Sequence, residues 1–131
     1  MPLSNRVLLG LGSIIAVMLS LAILFVPTPF YAGYDIDVVG ATNLLNELKA
    51  PALVILALGI LQALGAFQHQ YHRTGIGAGL LLYLGFGLSR LIAIATDGPP
   101  SAALVAVATS ELVIGLLFAL SYWRLRPSNE G

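Results

Sequence analysis

Cysteine is absent from the 131-residue chain, which at once removes disulfides, thiolate metal sites, iron–sulfur clusters and cysteine nucleophiles. Charge is scarce as well. Six basic residues balance six acidic ones, 9% of the chain where about a quarter is usual in soluble domains, so no basic surplus exists to bind nucleic acid. Histidine occurs only as His69 and His72, in a polar stretch at residues 68–74 that is expected to be a solvated connection. That placement argues against serine–histidine hydrolysis and against haem held by transmembrane imidazoles, and no metal or other cofactor is expected. What the chain has in abundance is apolar sequence, 58% of all residues, enough to identify a membrane protein of one domain whose first partner is the lipid bilayer.

Four apolar segments are long enough to cross a hydrocarbon core about 30 Å thick, and they predict an all-α, integral membrane four-helix bundle spanning residues 1–131, with helices at about 6–26, 42–67, 75–96 and 101–124. The first is expected to be a retained crossing, since its apolar run is too long for a signal peptide. Its strip of Gly12, Ser13, Ala16 and Ser20 is expected to pack within the bundle. Pro27-Thr28-Pro29 should end it, leaving Phe30, Tyr31 and Tyr34 at the membrane surface and Asp35 and Asp37 in a solvated loop. Asn46, Glu47 and Lys49 begin the second helix just ahead of Pro51, and Gln62 lies deep within it, in need of a partner. Arg6, Arg73, Arg124 and Arg126 fall at one end of the bundle, whereas Asp35, Asp37 and Asp97 fall at the other. The bias toward basic residues on the cytoplasmic side predicts that both termini are cytoplasmic.

Two charges lie inside segments that should be lipid-compatible: Arg90 near the far end of the third helix and Glu111 in the fourth. A lone arginine or acid costs roughly 2.5–3.5 kcal/mol at the bilayer centre on insertion scales, so pairing is expected. Uniform helical winding places Arg90 on one side with Gly79, Tyr83, Phe86, Gly87, Ile94 and Asp97, and Leu81, Leu84, Leu88 and Ile92 opposite. Glu111 shares its side with Ala108, Gly115 and Phe118. Folding the two helices about the turn at residues 97–100 brings Arg90 and Glu111 within about 6 Å along the axis. Asp97, Glu47 and Lys49 are expected to approach this pair from above, and Gln62 and Tyr83 from a neighbouring helix. Such a pair can be a lock for helix register or a functional centre.

The ordered set of Asn46-Glu47-Leu48-Lys49, Arg90, Asp97-Gly98-Pro99-Pro100 and Glu111 resembles a bacterial family catalogued as domain of unknown function 4345, over nearly the whole chain to about Tyr122. Lys49 stands where arginine is usual in that family, and a lysine lacks arginine's planar fork. The resemblance implies a small protein with four membrane helices, hence a bacterial inner-membrane location, and implies no activity. The residues themselves favour an accessory or binding subunit over an enzyme. Its outward-facing polar cluster (Asn46, Glu47, Lys49, Gln62, Tyr83, Arg90, Asp97, Glu111) would take a small polar ligand, a lipid headgroup or a membrane protein partner, including a second copy of the chain. A proton-coupled or small-solute transporter using Glu111 is the alternative, and an intramembrane enzyme that modifies lipid comes third.

Overall fold

A computed structural model describes residues 2–125. Among them there is no strand, and four helical stretches are long and apolar enough to cross a membrane: Leu3–Phe25, Thr42–Phe67, His69–Asp97 and Ala102–Arg124. They run up, down, up and down, so that the first helix starts at the end where the last one finishes. The molecule is an all-α four-helix bundle and a multi-pass membrane protein. Arg126, one of the basic residues assigned to the termini end, lies outside the described residues.

Helix α1 (Leu3–Phe25) buries four of its small residues, Gly12, Ser13, Ala16 and Ser20, mainly against α4 (Ala52–Phe67). The close fit is visible at Gly59, where an added Cβ would stand 3.0 Å from that of Ala16. The strip is thus used inside the chain. Between these helices lie α2 (Pro27–Ala32) and α3 (Thr42–Lys49). Pro27 and Pro29 end α1 as expected, but they also open α2, because a proline in the first turn lacks only an N–H that has no intrahelical partner anyway. Tyr31 consequently folds inward. It joins Ile23, Val38 and Ala52 in a small second core, and Phe30 meets Tyr31 and Tyr34 edge-on at 5.0 and 5.2 Å between ring centres. Tyr31 is therefore not a surface residue, since the loop after α2 returns over it and its carbonyl accepts the N–H groups of Tyr34 and Ile36. Burial pushes its phenol above the ordinary tyrosine range, partly opposed by the positive charge of Arg90. Asp35 and Asp37 stay outside this core, and Asp37 Oδ1 accepts the Val39 N–H at 3.0 Å in a local turn.

The third crossing starts earlier than the sequence pattern suggests. A short 3₁₀ turn at His69–Tyr71 leads directly into α5 (His72–Gly79), a π turn (Leu80–Leu84) and α6 (Gly85–Asp97). His72 is therefore not in a solvated connection. It is 6% exposed, accepts from Asn5 Nδ2 at Nε2 (3.4 Å) and donates from Nδ1 to the Gly65 carbonyl (3.3 Å). The π turn widens one turn of the hydrogen-bond ladder and rotates the rest of the helix about its axis. Leu84, placed on the lipid side by uniform winding, instead packs on Gly115 of α7 (Ala102–Arg124), where an added Cβ would meet the Leu84 backbone at 2.7 Å. Leu81, Leu88 and Ile92 do face outward.

A candidate polar site in the second hairpin

Helices α6 and α7 form an antiparallel hairpin whose turn depends on Gly98, at φ 92°, a backbone conformation that a side chain would strain. Ser101 caps α7. Its Oγ accepts the Leu104 N–H at 3.4 Å and donates to the Tyr34 carbonyl at 3.2 Å, fixing the hairpin turn against the loop after α2. Two turns below, Arg90 Nε donates to Glu111 Oε1 at 2.7 Å, a short charge-assisted contact. This is the pairing expected from helical phase. The Glu111 side chain is 14% exposed and that of Arg90 33%, and Glu111 Oε2 is buried with no hydrogen-bond partner among the described residues. Arg90 makes no second hydrogen bond there, so its terminal N–H groups remain available.

Beside the pair, the outer half of the hairpin encloses a groove of about 280 Å³. Arg90 lies at one end, Asp97 and Gly98 at the other, with Ile94, Leu104 and Ala108 among its apolar walls. The volume is just under the usual range of small-ligand pockets, so the space suits a single polar group and a short apolar stem.

The remaining expected residues lie in two other places. Asn46, Glu47 and Lys49 belong to α3, which packs mainly on α1 and α4; Asn46 and Glu47 lie toward its outer side, Lys49 is half-buried, and none makes a side-chain hydrogen bond or ion pair among the described residues. They are not brought onto the Arg90–Glu111 pair, because Pro51 separates α3 from α4 and the short helix stays with its own hairpin. Gln62 and Tyr83 form a separate inner centre. The Tyr83 hydroxyl donates to the Gly12 carbonyl, its ring stacks on Phe118 at 5.8 Å, and Gln62 Nε2 donates to Leu58 O at 3.2 Å. Gln62 Oε1 lies against Gly12, buried and without a partner among the described residues. Among the described residues, Asp97 is the one proposed neighbour that lines this groove with Arg90.

Sequence reasoning missed a third polar cluster, at the termini end. There Arg6 Nε donates to the Ala66 carbonyl at 3.0 Å, Asn5, His72 and Gly65 form a chain of contacts, and the Arg73 guanidinium lies 5.1 Å from the Tyr122 ring centre. Its acceptors are largely backbone carbonyls, which leave no side-chain signal. The one available hint was the proximity of Arg6 and His72 to the ends of neighbouring helices.

Neither a curated protein nor a solved structure matches this chain. A family profile described as "Domain of unknown function (DUF4345)" does match, over residues 4–122, which takes in nearly all of α1 and of α7 together with Arg90, Asp97 and Glu111. The chain belongs to the DUF4345 family.

Proposed function

We propose that this protein is a binding or accessory subunit of a bacterial inner membrane, with both termini cytoplasmic and the Arg90 groove open to the outer side, where it receives a small polar group. One observation carries the reading: Arg90 is anchored by a single Nε contact to Glu111 and borders a groove with its other donors unpartnered among the described residues. An arginine held this way is pre-oriented, so that less side-chain freedom is lost when a ligand's oxygen arrives. No nucleophile and base are held together at the groove among the described residues, which favours binding over catalysis.

The test compares the native chain, purified gently, with Arg90→Gln by mass spectrometry of whatever remains bound, with helicity and elution volume confirming that both are folded. A bound molecule retained by the native chain and lost from Arg90→Gln supports the reading. Identical bound content, together with full function of an Arg90→Leu/Glu111→Leu double variant in cells, would reduce the pair to a lock for helix register.

A second reading rests on Glu111 Oε2, a buried carboxylate oxygen with no partner among the described residues, as a proton-carrying group would present. In liposomes, a proton flux abolished by Glu111→Gln supports it; flux unchanged by that substitution removes it.

A further inference from the structure

The groove and the ion pair beside it hold one guanidinium and two carboxylates, Arg90, Glu111 and Asp97, with a formal charge of −1 when all are ionised. A simple anion such as phosphate would meet Arg90 at the cost of facing both acids, and like charges in a site of low dielectric repel strongly. A ligand that also carries a cation does not meet this penalty. Position narrows the choice further. Asp97 lies about 10 Å beyond Arg90 along the α6 axis. A ligand that makes a charge-assisted contact with each must therefore carry its anion and its cation on separate groups. A phosphate joined to an amine through a short two-carbon link meets that requirement.

The order of charges agrees. Arg90 lies deeper in the hairpin and Asp97 at its turn, so a bridging ligand has its anion toward the bilayer centre and its cation toward water. A phospholipid with an amine headgroup has that arrangement, and Ile94 and Leu104, which lie between Arg90 and Asp97 along the hairpin, would meet the short carbon link that joins the phosphate to the amine. Resting on the reading of this groove as a binding site, we infer that its ligand is a phosphoethanolamine unit, with the phosphate on Arg90 and the primary ammonium on Asp97. Glu111 holds the Arg90 fork in place.

The full chain in nanodiscs containing equal parts phosphatidylethanolamine, phosphatidylglycerol and phosphatidylcholine provides the test, with native mass spectrometry reading the retained lipid. Phosphatidylcholine keeps both charges but has no N–H to donate. Retention of phosphatidylethanolamine roughly tenfold above the other two is expected, as is collapse of that preference in Asp97→Asn, since a hydrogen bond to a charged group contributes about that factor. Asp97 is exposed, so this variant should fold. Displacement of the retained lipid by millimolar free phosphoethanolamine would make the soluble headgroup a ligand in its own right; resistance to displacement would make the lipid the ligand. Either supports the shared chemistry. Equal retention of the three lipids, or a preference that Asp97→Asn leaves intact, overturns the assignment. If Arg90→Gln still loses its bound molecule in that event, the groove remains a binding site with another ligand. If folded Arg90→Gln retains everything the native chain does, the groove reading fails too.

Discussion

Gln62 Oε1 and Glu111 Oε2 are both buried without a partner among the described residues, yet they stand in different settings. Glu111 is tied through its other oxygen to an arginine beside a groove. Gln62 is 0% exposed in the bundle interior, its amide nitrogen bonded to a carbonyl of its own helix and its oxygen pressed toward Gly12. A buried acceptor left unmet costs about 1–3 kcal/mol, whereas replacing the whole polar group by an apolar one of similar shape can be neutral or better. Gln62→Met is therefore expected to keep or raise the thermal midpoint in detergent. A loss on the order of 2 kcal/mol instead would show that Oε1 has a partner in the membrane, such as an ordered water. The need for a partner at Gln62 was legible from its depth in an apolar helix. That Tyr83 would bond to Gly12 rather than to the amide was not, because nothing in a side-chain pattern marks a particular backbone carbonyl as an acceptor.

At the level of elements, close helix contacts rest on bare backbone. Gly65 of α4 and Gly75 of α5 face each other so closely that a Cβ on Gly65 would lie 3.1 Å from the Gly75 Cα and 2.9 Å from the Tyr71 carbonyl oxygen, both main-chain atoms unable to move alone. The same approach puts the Gly65 carbonyl within reach of His72. Gly65→Ala is expected to destabilise by about 1–3 kcal/mol through overpacking, while Gly10→Ala, with open space around the added atom, should be neutral or slightly stabilising. Thermal unfolding of the two variants decides it; equal midpoints would mean that α4 and α5 do not meet at this crossing. Periodicity located all four crossings, since apolar length is a strong signal. It did not reveal the π turn, which carries no composition of its own, nor the inward fold of α2, because Pro27-Thr28-Pro29 marks the end of one helix as readily as the start of the next. The Arg90–Glu111 pairing survived both errors, as Arg90 follows the π turn and both residues lie close to the hairpin bend.

Viewed as a whole, the molecule separates its charges by end. Arg6, Arg73 and Arg124 gather with His72 where the first helix begins and the last one finishes, whereas Asp35, Asp37 and Asp97 lie at the hairpin turns, with Glu47 and Lys49 of α3 on that same side. This division was legible from the chain alone, because alternating crossings sort loop charges whatever the packing. That α3 remains with the first hairpin while Asp97 stays with the second was not, since it depends on tertiary contacts across the cap. Basic residues favour the cytoplasmic side, which is the basis for proposing that the groove opens outward. The absence of cysteine makes the orientation directly measurable, because any thiol introduced is the only one present. Val39→Cys, on the exposed loop at the turn end, should react with a membrane-impermeant maleimide in intact cells, and Gln70→Cys, exposed at the termini end, should react only after lysis. The reverse pattern would invert the protein and place Arg90 among the lipids of the inner leaflet, where the same groove would draw its ligand from the cytoplasmic face.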